Sequence, residues 1–439
     1  MLNRNIPPRT KKIKSINFCF PEKHSFQNGI NTYVLGSETA PVIKLDIIFK
    51  SGIENAEKKL EPTFANSMLK EAPQGMTSNE TADFFDYYGA YIQNFISNNT
   101  SGLRLFVPQR FFVKVLPVFA DLIQNPAFIE EDFSILKEKS KESIKVNLTK
   151  TKYIAAKGIN NQLFGDFHPR GWLVKPEDVD TINLKDVKKF SNTYFSSKNC
   201  FIIASGSVNT ETIKLIEKHF SKEFGNNKFV KKPTNKRIFS EKEIFKHYEM
   251  PNAVQSSIYL AKNLGKLRDE EIVDIGILNT VLGGYFGSRL MKNIRENKGY
   301  TYGIGSFLTD YDDCTVLKIS SELATKYVKK TIKEIFKEIE KLTTTPISNS
   351  ELNLVKNYSS GEILSSIDGV FQNSIIWEKI ISSQRQENLI NLQFERLQNI
   401  TSDELMQIAQ KHLNKEEFFT AIAGSWTLLT LQLRSVHRL

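Results

Sequence analysis

The sequence predicts an α+β fold of two similar tandem domains, each a mainly antiparallel sheet layered with helices. The first observation is an internal repeat, because residues 400–405 resemble residues 182–187 and lie 218 positions later. Each copy continues into an amphipathic helix and an apolar strand ended by glycine, at Gly206 and again 218 positions later at Gly424. The second observation is that strand-like and helix-like runs do not alternate strictly, which favours α+β over a doubly wound fold. The repeat is far longer than a solenoid unit.

The repeat also predicts the domain limits. We expect an N-terminal domain over residues 1–227, a lysine-rich linker over 228–243, and a C-terminal domain over 244–439. Within these domains, apolar residues alternate with Lys44 and Asp46 between Ile43 and Phe49, which predicts a half-buried strand. Apolar residues recur every three to four positions over 328–342, which predicts a long amphipathic helix.

Composition excludes several classes of function. The net charge is +10, but lysines and glutamates are interspersed as on a solvated helix face, and no nucleic-acid-binding signature is present. No apolar run reaches the length of about eighteen residues that a membrane span needs, and no secretory signal is recognisable. The three cysteines are far apart, which is typical of a reducing compartment. We therefore expect a cytoplasmic protein without nucleic-acid or membrane partners.

Four landmarks in the first half carry a family resemblance. They are residues 51–54 (Ser-Gly-Ile-Glu), residues 89–95 (Gly-Ala-Tyr-Ile-Gln-Asn-Phe), residues 125–128 (Asn-Pro-Ala-Phe) and the turn His168-Pro169. With the tandem repeat, they resemble the pitrilysin/insulinase family of zinc metallopeptidases, especially its bacterial branch that is similar to mitochondrial processing peptidases. The resemblance covers nearly the whole chain and implies one half of a clamshell.

The zinc ligands of that family are absent from the aligned positions. Active members carry an H-x-x-E-H motif on a helix, where residues four apart reach one metal and the glutamate serves as base. Here the predicted helix over 62–72 has Thr63, Asn66 and Ser67 at those positions, and the downstream ligand position is Ser143 beside Glu142. Hydroxyl and amide groups are poor zinc ligands. We therefore predict that this chain binds no metal.

The second half resembles the other element of the family's active site. Arg295 and Tyr302 occupy the positions of a paired arginine and tyrosine that face the substrate. The resemblance implies that the guanidinium holds a peptide carbonyl and that the phenol stabilises an oxyanion. Taken alone, this spacing of an arginine and a tyrosine is weak evidence for an active-site pair. The alternative is that Arg295 is a surface helix residue and Tyr302 is a strand residue whose ring is packed.

Three glycines between residues 283 and 287 precede this pair. They predict the end of a helix that begins near Glu271, and a flexible peptide-holding loop is the alternative.

An edge strand over residues 91–97 is also implied by the resemblance. Such a strand lies beside the zinc helix and can pair with an extended peptide through main-chain hydrogen bonds. The candidate substrate-binding residues are Tyr91, Ile92, Gln93, Asn94 and Phe95. The alternative is an ordinary sheet strand.

Together these features predict the non-catalytic subunit of a heterodimeric zinc peptidase. Its partner would be a homologous chain that bears H-x-x-E-H and carries the zinc, while this chain supplies Arg295 and Tyr302 and binds peptide substrates. One alternative is a catalytically inert peptide-binding or scaffold homologue. Another is a self-sufficient metallopeptidase with an unrecognised metal site, which the missing ligand chemistry disfavours.

Overall fold

The computed structural model describes residues 13–226 and 244–425. The first half of the chain forms a six-stranded sheet in the order β1-β2-β6-β3-β5-β4, in which only β2 and β6 are parallel. Its strands are β1 (Glu22–Ser25), β2 (Asn31–Gly36), β3 (Val42–Phe49), β4 (Tyr91–Ile96), β5 (Ser101–Pro108) and β6 (Cys200–Gly206). Its helices are α1 (Glu61–Leu69), α2 (Ser78–Tyr87), α3 (Phe112–Gln124), α4 (Glu130–Leu148), α5 (Thr151–Phe164), α6 (Pro176–Asp180), α7 (Leu184–Tyr194) and α8 (Thr210–Phe220).

The second half repeats this topology in a five-stranded sheet, ordered β7-β11-β8-β10-β9 with β7 and β11 parallel. Its strands are β7 (Phe245–Glu249), β8 (Ser256–Asn263), β9 (Thr301–Asp310), β10 (Thr315–Leu323) and β11 (Phe419–Gly424). Its helices are α9 (Asp269–Asn279), α10 (Val328–Thr344), α11 (Asn349–Ser366), α12 (Val370–Ser382), α13 (Leu389–Asn399) and α14 (Ser402–His412), with π-helical turns at Thr280–Gly284 and Met291–Asn297. The two sheets match strand for strand except for β1. The predicted α+β fold with two similar domains is therefore confirmed.

Each sheet packs its own helices on one face. Apolar residues of β3 and β5 form the first core with α1, α3, α7 and α8, and those of β8 and β10 form the second core with α9, α10 and α14. The amphipathic patterns produce these layers because each helix buries one apolar stripe against a sheet. All β1–β6 strands precede residue 227 and all β7–β11 strands follow residue 243. The predicted linker and the tail after residue 425 lie outside the described residues, so the domain limits remain a prediction.

The other face of each sheet is covered by a helix from the opposite half. Helix α5 packs Ala155 and Ile159 against Tyr259 and Ala421 of the second sheet. Helix α12 packs Trp377 and Ile380 on the β2 and β6 strands of the first sheet. Since α12 begins 219 residues after α5, the exchange is a feature of the repeat itself.

This exchange corrects the prediction for β3, which was expected to be half-buried. Lys44 is 1% exposed and Asp46 is not exposed at all, because α12 covers the face on which they lie. Lys44 Nζ lies 2.6 Å from Asp46 Oδ2 and 2.7 Å from Ser374 Oγ of α12. Arg104 of β5 bridges Asp46 Oδ1 at 2.6 Å and Glu378 Oε2 at 2.8 Å. The charges are buried because they neutralise one another across the interface between the halves.

No helix within residues 13–226 and 244–425 is long and apolar enough to cross a membrane.

Candidate functional site

Helix α1 presents the positions aligned with the family's metal ligands. It begins with Pro62 in its first turn and ends at Leu69, three residues earlier than predicted. Thr63 and Ser67 are half-buried one turn apart, whereas Asn66 is fully buried. Asn66 Nδ2 donates to the carbonyl oxygen of Phe95 at 2.9 Å and thereby joins α1 to β4. An ionised carboxylate could not make this contact, because it only accepts hydrogen bonds.

These side chains do not fit a zinc ion. Zinc in proteins takes cysteine, histidine or carboxylate ligands, and Thr63, Asn66 and Ser67 offer only hydroxyl and amide groups. Ser143 of α4 is exposed, and the neighbouring Glu142 pairs with Lys145 Nζ at 2.7 Å. Within the two described ranges, no three histidine, cysteine or acidic residues lie close enough together to hold a metal ion.

Strand β4 is the outer strand of the first sheet, and it carries the five candidate substrate-binding residues Tyr91, Ile92, Gln93, Asn94 and Phe95. The β4–β5 hairpin closes where Ser97 N donates to Thr100 O at 2.7 Å. In an antiparallel ladder, every second residue directs its main-chain N–H and C=O groups away from the partner strand. Counting from the hydrogen-bonded pair Ser97–Thr100, Ile92 and Asn94 are such residues, so their main-chain groups point to the free edge of the sheet. Their role in peptide binding remains a prediction.

The hairpin tip is held by the turn that follows β3. Ile53 N donates to Ser97 O at 3.0 Å, and Glu54 N donates to Asn98 O at 2.9 Å. Gly52 permits this approach, since a Cβ atom there would lie 2.4 Å from the Ser97 carbonyl oxygen.

A buried arginine that the sequence analysis missed fixes this turn relative to the second half. Arg170 is 1% exposed at its side chain, and it binds both carboxylate oxygens of Glu54 at 2.6 Å. Its Nη1 lies 2.8 Å from Asp313 Oδ1 in the β9–β10 hairpin, and its guanidinium stacks 4.1 Å from the centre of the Tyr311 ring. Only the position of Arg170 beside the predicted His168-Pro169 turn could have drawn attention to it.

The Arg295–Tyr302 pair lies at the start of β9, the outer strand of the second sheet. Arg295 lies on the second π-helical turn, and Gly299 turns the chain into β9 with a φ of +62°. Arg295 Nε donates to the main-chain carbonyl oxygen of Tyr302 at 3.0 Å. The Tyr302 side chain is 93% exposed, so its ring is not packed as in an ordinary strand residue.

Both residues line an open pocket of about 530 Å³. The stacked rings of Tyr300 and Tyr327 also line it, with centroids 4.7 Å apart, as do Gln255 and Glu322. The structure therefore brings the two predicted catalytic residues together at a solvent-facing cavity. None of the residues that line this pocket belongs to α1 or β4.

The glycine segment before this pair ends a helix, as predicted. Helix α9 continues through the π-helical turn to Gly284, and Tyr285 is extended. Gly283 packs so tightly that a Cβ atom would lie 2.7 Å from the main-chain nitrogen of Ser306. The ring of Tyr285 packs on Tyr358 of α11 at 4.7 Å. These contacts favour a packed segment over the flexible peptide-holding loop.

The tandem α+β domains, with helix α1 beside the edge strand β4, have the architecture that the family resemblance implies. Residues 181–359 match the family model described as "Peptidase M16 inactive domain". The Bacillus subtilis (strain 168) protein named "Uncharacterized zinc protease YmxG" is 22% identical over 351 residues, which cover 79% of this chain and 84% of that protein.

Two solved structures are similar in fold. The peptidase M16 inactive domain from Pseudomonas fluorescens has a TM-score of 0.82 at 20% identity, covering 92% of this chain and 98% of that one. A protease from Helicobacter pylori has a TM-score of 0.83 at 17% identity, covering 92% and 100%. The resemblance inferred from the sequence is thereby confirmed: residues 181–359 match the M16 inactive domain, and most of the chain is similar to proteins of the pitrilysin/insulinase (M16) type.

Proposed function

We propose that this chain is the non-catalytic subunit of a heterodimeric M16-type zinc peptidase. It binds extended peptide and supplies Arg295 and Tyr302 to a zinc site on a homologous partner that bears H-x-x-E-H. The observation that carries the proposal is the combination of a helix α1 without metal ligands and an ordered Arg–Tyr pair that faces an open pocket.

The chemistry assigned to this chain is the binding of charge that develops on a peptide carbonyl. Arg295 uses Nε for the Tyr302 carbonyl, so its two Nη groups are left to donate to a substrate carbonyl. The exposed Tyr302 hydroxyl is free to approach the same oxygen as an oxyanion donor. The partner's zinc would supply the activated water.

Peptide binding is assigned to the outer edge of β4. Its free main-chain groups suit an extended peptide of any sequence, because pairing uses main-chain hydrogen bonds. Asn66 and the turn at residues 53–54 hold this strand in place, which preserves the edge without any metal.

The cytoplasm is the proposed location. Cys19, Cys200 and Cys314 form no disulfide in the described part of the chain, which suits a reducing compartment.

Co-purification followed by reconstitution tests the proposal. Affinity capture of the tagged full chain from its own cells should recover a homologous chain bearing H-x-x-E-H, and the complex should contain zinc. In the reconstituted complex, Arg295→Ala and Tyr302→Phe should each lower peptidase kcat about a hundredfold, as loss of one oxyanion donor typically does. Arg268→Ala and Tyr87→Phe are matched controls, since both side chains are well exposed and neither lines the pocket.

Two results would replace the proposal with an alternative. An unchanged rate in both variants would indicate a scaffold or inert peptide-binding subunit. Stoichiometric zinc and chelator-sensitive cleavage by the purified chain alone would indicate a self-sufficient peptidase.

A further inference from the structure

We infer that Phe286 is a positioning residue for Arg295, through which the glycine segment that ends α9 controls peptide binding at the Arg–Tyr pocket. This inference rests on the proposed function and adds a residue that neither the sequence motif nor the family match assigns.

The guanidinium of Arg295 is held from two directions. Its Nε donates to the Tyr302 carbonyl oxygen at 3.0 Å, which fixes one edge of the planar group. The ring of Phe286 lies 4.5 Å from the guanidinium carbon, which fixes the plane through a cation–π contact. Because one edge and one face of the guanidinium are occupied, its two Nη groups are held in a defined orientation. Arg295 is one of the residues that line the pocket.

Phe286 is itself held by a packed segment although its ring is 61% exposed. The preceding Tyr285 packs on Tyr358, and Ser288 N donates to Tyr285 O at 3.1 Å. Arg289 forms a two-point ion pair with Glu351 of α11, at 2.8 and 3.0 Å.

Gly287 allows the segment to lie against Tyr285, since a Cβ atom at residue 287 would approach the Tyr285 ring to 2.7 Å. Helix α11 therefore sets the position of Phe286, and Phe286 in turn sets the orientation of Arg295.

The consequence is pre-organisation of a peptide-binding group. Arginine has several rotatable bonds, and fixing them before binding lowers the entropic cost of the contact. Without the ring, Arg295 would rotate about its remaining hydrogen bond. Cation–π contacts at exposed sites correspond to about a two- to fivefold change in an equilibrium constant, which is the loss of affinity we expect.

Two readouts on the full chain test the inference. Fluorescein-labelled β-casein, an extended polypeptide, serves as the binding probe in fluorescence anisotropy. In chains labelled with ¹⁵N-arginine, the Nε–H resonance of Arg295 reports the ring above it and the hydrogen bond to Tyr302, and Arg295→Lys identifies that resonance.

Phe286→Leu should weaken casein binding about two- to fivefold and shift the Nε–H resonance. Phe286→Tyr, which keeps an aromatic face, should restore both. Phe286→Leu should have no further effect in an Arg295→Ala background. Phe167→Leu is the control for removal of a ring, because Phe167 is 93% exposed and does not line the pocket.

The outcomes separate this inference from the proposed function. Suppose that Arg295→Ala weakens casein binding. The inference is then overturned, and the proposed function stands, if Phe286→Leu leaves either readout unchanged. The same conclusion follows if Phe286→Leu weakens binding equally in the wild-type and Arg295→Ala backgrounds. If Arg295→Ala does not weaken casein binding, the proposed peptide contact fails, and the inference fails with it.

Discussion

The side-chain amide of Asn66 donates to the main-chain carbonyl of Phe95 at 2.9 Å, and this bond joins helix α1 to the outer strand of the first sheet. Active relatives place a catalytic glutamate at the aligned position, and a glutamate accepts hydrogen bonds where an amide can donate one. The position thus serves here to hold an edge strand. Asn66 is fully buried, so the contact is shielded from water.

Replacing Asn66 should destabilise the first domain. Asn66→Ala leaves the buried Phe95 contact unmade and should lower the free energy of unfolding by about 1–3 kcal/mol. Asn66→Asp should cost more at neutral pH, because it buries a carboxylate against a carbonyl oxygen. Urea unfolding measures both, with Asn192→Ala on the exposed face of α7 as the control. Equal stability of Asn66→Asp and the wild type would contradict this role.

Arg170 should be a major determinant of how the two halves are held together. Arg170→Ala leaves Glu54 buried without its cation, and removing one partner of a buried pair typically costs about 3–5 kcal/mol. Lys145→Ala, which breaks the exposed pair with Glu142, should change stability by less than about 1 kcal/mol. Thermal and urea unfolding of both variants provide the comparison. A similar small effect in both would show that the Arg170 network does not contribute to stability.

Local patterns in the sequence predicted much of the fold. The alternation around β3, the helical period of α10 and the glycines at the end of α9 all correspond to elements of the structure. The repeat of residues 182–206 at residues 400–424 was sufficient to predict two similar domains. The family resemblance predicted an edge strand over residues 91–97, where the structure has β4.

What the sequence did not reveal depends on contacts between distant segments. Lys44 and Asp46 alternate with apolar residues in the sequence, and this pattern is the same whether the second face of β3 contacts water or a charged helix. The sequence therefore could not predict the exchange of α5 and α12 between the halves. The partners of Asn66 and Arg295 likewise come from the packing of whole elements. Phe286 lay among the glycines that drew attention, but only the structure shows its ring against Arg295.

Two glycines near the Arg–Tyr site should respond oppositely to substitution by alanine. Gly283→Ala would bring a Cβ atom to 2.7 Å from the main-chain nitrogen of Ser306, so β9 must shift, at a cost of about 1–3 kcal/mol. Gly276→Ala in α9 meets no atom within 4 Å and should stabilise the chain by about 0.5–1 kcal/mol.

Urea unfolding measures both changes in stability. If β9 positions the Arg–Tyr pair, Gly283→Ala should weaken the binding of labelled casein, whereas Gly276→Ala should not. Equal stability of the two variants would show that Gly283 is not confined as described.

The buried Lys318 under α5 should make a contribution to stability that grows with pH above pH 8. Lys318 of β10 donates to Asn160 Oδ1 at 2.9 Å, and burial lowers its pKa from 10.5 to about 8. Burial also lowers the pKa of the neighbouring Lys157 of α5, whose positive charge opposes that of Lys318. Between pH 8 and 10.5 the unfolded lysine keeps its proton while the folded one releases it, so the contribution of Lys318 to stability increases with pH across that window.

Removing this lysine should therefore stabilise the protein at neutral pH. Below pH 8 the folded state bears the full cost of a buried charge, so Lys318→Met should raise the free energy of unfolding by about 1–3 kcal/mol at pH 7. The advantage should shrink steadily as the pH approaches 10.5, where the wild-type lysine is neutral in the folded state. Melting temperatures of both proteins from pH 7 to 10 measure this, with the exposed Lys185→Met on α7 as the control. A difference in melting temperature that is independent of pH would show that Lys318 acts through its packing and not through its charge.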